Sequence, residues 1–116
     1  MAESTIAKKS FTTENVTTEC TNVANISERL LLKNDKTMSL YLKLTSGING
    51  MTHVFTIPTK YCPSTERMYL EIGSYSSADT SKVVTALVQS DGLVYVQTSS
   101  ATANYIYVSG TWLLYK

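Results

Sequence analysis

Along most of this chain apolar and polar residues alternate with a period of two. That is the period of a strand, because successive side chains of a strand point to opposite faces. Met38, Leu40, Leu42 and Leu44 alternate with Ser39, Tyr41, Lys43 and Thr45. Ahead of them Leu30, Leu31 and Leu32 run into the turn-forming cluster Asn34-Asp35-Lys36, so residues 29–45 are predicted to form a hairpin. A third short strand is expected from His53 to Ile57, stopped by Pro58. In a fourth, Met68, Leu70 and Ile72 take one face and Arg67, Tyr69 and Glu71 the other. Lys82–Gln89 reads as a fifth, and Asp91-Gly92 is a strong two-residue hairpin signal. Leu93–Thr98 and Tyr105–Val108 follow, and Gly110 is expected to turn the chain into a last strand, Trp112–Tyr115. About eight short strands with regularly spaced turn signals predict an all-β fold, an antiparallel sandwich or barrel.

The start of the chain is less regular. Val23, Ile26 and Leu30 have helical spacing, which suits a short helix leading into the hairpin, while Phe11 to Val16 suits an edge strand. Residues 1–10 read as a tail, and the expected organisation is an attachment segment at 1–26 and one β domain at 27–116.

Composition supports the pattern. Ser and Thr make up about a quarter of the 116 residues, and Tyr, with eight copies, is the main aromatic. Thr, Tyr and Val suit a half-buried pleated surface. At 43% hydrophobic, 16% charged and a net charge of +1, the chain does not have the composition of a disordered segment. Its scattered, balanced charges leave no electrostatic footprint for nucleic acid. No apolar run is long enough for a membrane-spanning helix, so no membrane insertion is expected. Lys8 and Lys9 precede a polar, Thr-rich stretch and not an apolar core, so the expectation is a chain made in the cytoplasm without Sec export.

The residues offer little for catalysis. The one histidine, His53, can be paired on paper with Cys62, but no third orienting group is evident. Paired carboxylates for glycoside hydrolysis are lacking, since Glu66 and Glu71 fall on opposite faces of a strand and Asp91 belongs to a turn. One His and two distant Cys do not make a metal site, and the five glycines form no phosphate cradle, so neither metal nor cofactor is expected. Cys20 and Cys62 read better as two buried thiols than as a bridge. Trp112, in a terminal strand, reads better as core than as an exposed sugar platform.

Residues 53–64, His-Val-Phe-Thr-Ile-Pro-Thr-Lys-Tyr-Cys-Pro-Ser, resemble the Leu-Pro, two residues, Tyr-Arg-Pro, small-residue segment in the C-terminal heads of bacteriophage tail-fibre and baseplate receptor-binding proteins. The order of neighbouring features is similar too. An apolar strand precedes the segment, the Met68/Leu70/Ile72 strand follows it, and Ser90-Asp91-Gly92 leads into Leu93-Val94-Tyr95-Val96. The ending Tyr105-Ile106-Tyr107-Val108-Ser109-Gly110-Thr111-Trp112 is similar to that family's terminal Gly-Thr-aromatic strand. The resemblance spans residues 27–116, with Cys62 standing where an Arg is common. It implies a jelly-roll-like β-sandwich head that assembles as a homotrimer in the virion. Such a head binds a host cell-wall saccharide without modifying it.

Strand counting places the longer connections, 46–52, 73–81 and 98–104, at one end of the sheet. The tight turns and the Pro loop at 58–65 lie at the other. Long polar loops on a rigid scaffold are the usual recognition surface, which nominates His53, Tyr75, Asp79, Asn104 and Tyr105 as ligand-binding residues. A first strand beginning at Arg29 would enter from that same end, and an extra strand within residues 11–20 would reverse the entry side. The alternative function is a structural baseplate or fibre adaptor that docks to other tail proteins through residues 1–26 and touches no receptor. A glycan-active enzyme is the least supported of the three.

Overall fold

The computed structural model describes residues 13–45, 50–63, 69–76, 84–98 and 105–114. Among these residues nine antiparallel strands form one curled sheet: β1 (Thr13–Asn15), β2 (Thr21–Asn22), β3 (Ile26–Asn34), β4 (Thr37–Leu44), β5 (Gly50–Thr56), β6 (Tyr69–Ser76), β7 (Val84–Gln89), β8 (Leu93–Thr98) and β9 (Ile106–Leu113). Their order across the sheet is β1-β3-β4-β9-β6-β7-β8-β5-β2. Among the described residues the only helical pieces are 3-10 turns at Thr17–Glu19 and Thr59–Tyr61. The fold is therefore all-β, as the alternation predicts.

The alternation also sets the core. Met38, Leu40, Leu42 and Leu44 of β4 are buried, as are Ile106, Val108 and Trp112 of β9, Ala86 and Val88 of β7, and Val94 and Val96 of β8. In β5 the register shifts between His53 and Phe55, and Val54 and Phe55 are both buried. A bulge of this kind lets two successive residues escape strict alternation.

The sheet turns its corner in β6. Tyr69–Ile72 pair with β7, whereas Gly73–Ser76 pair with β9. Ile72, the last residue on the β7 side, packs directly over Gly110 of β9, where a Cβ would fall 2.6 Å from the Ile72 Cβ and Cγ2. This corrects the expected turn at Gly110. The glycine lies inside one continuous strand, paired with Leu40, and its role is to make room for Ile72.

Two expectations about the start of the chain are also resolved. Residues 23–30 form no helix: Val23 and Leu30 are 50% and 36% exposed, and β3 already begins at Ile26. Residues 13–22, inside the segment read as an attachment tail, supply two strands of the sheet. β1 covers one edge by pairing with β3, and β2 covers the other by pairing with β5. Since β1 and β2 are consecutive in the chain, residues 13–25 form a strap that ties the two edges of the curled sheet together. Its buried side chains are Val16, Thr17 and Cys20.

Candidate functional site

Following the strands alternately up and down places the ends of β4, β6 and β8 and the starts of β5, β7 and β9 at one end of the sheet. This is the loop end expected from strand counting; residues 46–49, 77–83 and 99–104 lie outside the described residues, and 50–52 and 73–76, expected in connections, are strand in β5 and β6. β1 begins at the opposite end, with Thr13 paired to Asn34 beside the β3–β4 turn. The strap thus supplies the extra strand that reverses the entry side.

The predicted residues do not form one group. Asp79 and Asn104 lie outside the described residues. His53 is on β5, its ring 5.5 Å from that of Tyr95 on β8. Its Nε2 lies 3.1 Å from the Phe55 carbonyl oxygen and 3.0 Å from Thr56 Oγ1. A carbonyl only accepts, so the Phe55 bond calls for the proton on Nε2. In the neutral ring that leaves the lone pair on Nδ1.

Tyr105 belongs to a different group, on the outer face of the β3-β4-β9 half. Register makes a row of it: Glu28 on β3 pairs with Lys43 on β4, and Lys43 with Tyr107 on β9; the backbone of Tyr75 on β6 lies opposite Tyr107. Tyr105, 40% exposed, enters β9 beside this row. The Lys43 ammonium sits 4.5 Å from the centre of the Tyr105 ring and 5.8 Å from that of Tyr107. Its Nζ is 3.6 Å from Glu28 Oε2, the oxygen that also accepts from the Tyr41 hydroxyl at 3.4 Å.

The outer face of the β4–β9 pair is graded along its length. Ser39 faces Thr111 at the β3–β4 turn, Tyr41 faces Ser109 in the middle, and Lys43 faces Tyr107 at the loop end. The large amphipathic side chains therefore collect beside the loops. Partial desolvation pulls the Lys43 ammonium down, but Tyr107, Glu28, Tyr105 and Tyr41 outweigh it and hold it above the usual lysine range. Desolvation, then the charge and hydrogen bond of Glu28, push the Tyr41 phenol up. At neutral pH Lys43 is therefore a cation and Tyr41 an un-ionised phenol.

Sequence reasoning named Tyr105 and Tyr75 but missed Glu28, Tyr41, Lys43 and Tyr107. Their outward positions were readable from alternation. The pairing of β4 with β9, which joins residues far apart in the chain, was not.

The thiols are structural. Both cysteines are buried, and neither is in a disulfide. Burial pushes Cys20 up to about 11, so at neutral pH it is a thiol and a poor nucleophile. Cys62 Sγ points at the carbonyl oxygens of Pro58 and Ile57, at 3.5 and 3.8 Å. Trp112 is core, its indole N–H donating to the Tyr61 carbonyl at 2.8 Å. Among the described residues, no three His, Cys, Asp or Glu side chains are placed to share a metal ion. No protein-family model matches the chain, and no curated protein matches it.

Proposed function

We propose that this chain is a non-catalytic receptor-binding head of a bacteriophage tail fibre or baseplate, which recognises a saccharide of the host cell wall. In this reading it folds as a jelly-roll-like sandwich head, acts as a homotrimer, and resides in the virion after synthesis in the bacterial cytoplasm. Support comes from the resemblance at residues 53–64 and 105–112 and from the side chains beside the loop end of the sheet. The observation that carries the reading is the exposed Tyr105 ring with Lys43 over it, next to Tyr107, Tyr41 and Glu28. A tyrosine ring offers a flat apolar surface for the C–H face of a pyranose and a hydroxyl at its rim. Lys43 and Glu28 add a donor and an acceptor for sugar hydroxyls without supplying a hydrolytic pair.

The test is retention of labelled protein on cell walls of a susceptible host. Wild-type chain is expected to bind, and Tyr105→Ala to lose affinity about tenfold, in line with loss of one stacked aromatic. Light scattering should give three times the chain mass. Absence of binding by the wild type, or equal binding by Tyr105→Ala, overturns the proposal. Docking to a virion component without cell-wall retention would favour the adaptor role.

A further inference from the structure

The strap has a property that its own hydrogen bonds make visible. Apart from the bonds of its 3-10 turn and those from Thr17 to Asn15 Oδ1, the described bonds of the strap reach elsewhere in the chain. Val16 N–H donates to the Leu31 carbonyl on β3 at 3.0 Å, and Leu31 N–H donates to Thr17 Oγ1 at 2.8 Å. Arg29 Nη1 of β3 donates to the Cys20 carbonyl at 3.1 Å and to Asn22 Oδ1 at 3.0 Å. At the other edge, Val23 and Ala24 N–H both donate to the Val54 carbonyl of β5, at 3.0 and 3.1 Å. Glu19 reaches the Pro loop, accepting from the Tyr61 hydroxyl at 2.7 Å and pairing with Lys60 at 3.0 Å. An identical strap from another copy would make every one of these bonds equally well.

The hinge is short and bent. Three residues, Val23–Asn25, carry the chain from the β5 edge across to the β3 edge. Val23 and Ala24 N–H share the one Val54 carbonyl, Asn25 O accepts from Thr45 N–H, and the Val23 side chain stays half exposed. A register shift follows at once, between Ile26 and Glu28. Short, sharply turned hinges favour exchange of the element they carry, because the open form straightens the hinge and regains the same contacts on a neighbour. All five residues of β1 and β2 are exposed, so the strap's burial is confined to Val16, Thr17 and Cys20.

From this we infer that the seam between β3 and β5 is an interface between copies of this chain, each copy's strap filling the seam of a neighbour. The occupant is residues 13–25 of a second copy, and the hinge at Val23–Asn25 is where the chain crosses over. This inference stands apart from the saccharide reading and does not depend on it.

Paired cysteines placed across each side of the seam test it in the full-length chain. Thr13 and Asn34 are directly opposite each other on β1 and β3, and Thr21 and Thr56 on β2 and β5. Opposite residues of an antiparallel pair hold their Cα atoms about 4.5–5.5 Å apart, inside the range of about 4.4–6.8 Å that a disulfide spans. The variants T13C/N34C and T21C/T56C are refolded together with oxidised glutathione and run on a denaturing, non-reducing gel. Each single variant serves as a control for random cross-linking. Exchange predicts covalent species of two or more chains from both double variants, with a 13–34 or 21–56 bond on peptide mapping. Single-chain species from either pair overturn the inference, whatever the mass of the native protein on a sizing column. Far-UV circular dichroism establishes that each variant keeps its β structure, so a misfolded variant is not counted.

Discussion

Eight consecutive residue pairs join β4 to β9, whereas the strap meets its neighbours over three pairs on one side and two on the other. The ladder buries apolar side chains along its inner face, Met38, Leu40, Leu42 and Leu44 against Ile106, Val108 and Trp112, with Ile72 packed over Gly110 between them. The strap buries only Val16, Thr17 and Cys20, and leans on side chain to backbone bonds. Burial is roughly proportional to apolar area removed from water, so the ladder carries much more of the folding free energy. A bond made by Thr17 or Glu19 contributes at most about 1–3 kcal/mol, and less where water competes. The ladder decides whether the sheet exists, and the strap decides whether its two edges stay tied.

The largest effect should come from the ladder. Leu42, fully buried, pairs with Arg29 on one side and Val108 on the other. Leu42→Ala is expected to cost about 2–5 kcal/mol, the transfer free energy of the lost atoms plus the cavity they leave. Against a typical domain stability of about 5–15 kcal/mol, this lowers the unfolding midpoint of the whole molecule. Urea unfolding followed by circular dichroism measures it. A loss under about 1 kcal/mol would mean that the ladder is not the main support.

A smaller, local effect is expected in the strap. The Thr17 hydroxyl accepts from Leu31 N–H and donates to Asn15 Oδ1 at 2.6 Å. Thr17→Val keeps the shape and leaves the Leu31 amide without its partner, at about 1–3 kcal/mol. Native-state hydrogen exchange should show faster opening at the amides of Val16 and Leu31, with those of Leu42 and Val108 changed less. Equal acceleration at all four would erase the distinction between the regions.

The same contrast governs what could be read from the sequence. Strands β4, β7 and β8 announce themselves because the sheet buries one face, and burial of one face writes period two into the chain. The strap writes no period. Val16, Thr17 and Cys20 follow none, and their partners Leu31 and Arg29 lie on another strand. The helical spacing of Val23, Ile26 and Leu30 misleads for that reason, since the residue the core takes is Leu31. Gly110 misleads in a related way, because the need for a missing side chain comes from Ile72, across a sheet corner. For the candidate site, the outward placement of Tyr105 was legible. Its meeting with Lys43 depends on the β4–β9 register, and the separation of His53 from Tyr105 depends on the strand order.

The finest distinction is the pH response of the clasp. The hydrogen bond from the Tyr61 hydroxyl, then that from Lys60, holds the Glu19 carboxyl below the usual carboxylate range. A lowered folded-state value contributes stability that is present above the ordinary carboxylate range and is lost as pH falls through the lowered value. Lys60 is raised, chiefly by its hydrogen bond to Glu19, and Tyr61 is raised, chiefly by donating to Glu19. Their contributions are present below the ordinary lysine and tyrosine ranges and fade as pH rises through the raised values. The clasp should therefore hold through neutral pH and loosen at both extremes, with the ladder intact. Trp112 is the single tryptophan, and its indole is bonded to the Tyr61 carbonyl, so its fluorescence reports on the loop that the clasp holds. Acid titration of the wild type should shift Trp112 emission before the far-UV signal of the sheet changes. In Glu19→Gln the side-chain oxygen still accepts from Tyr61 but has no charge to lose, so the early shift should disappear. An unchanged early shift in that variant would assign the acid response to another carboxylate. The strap would then be held by its backbone bonds and its three buried side chains alone.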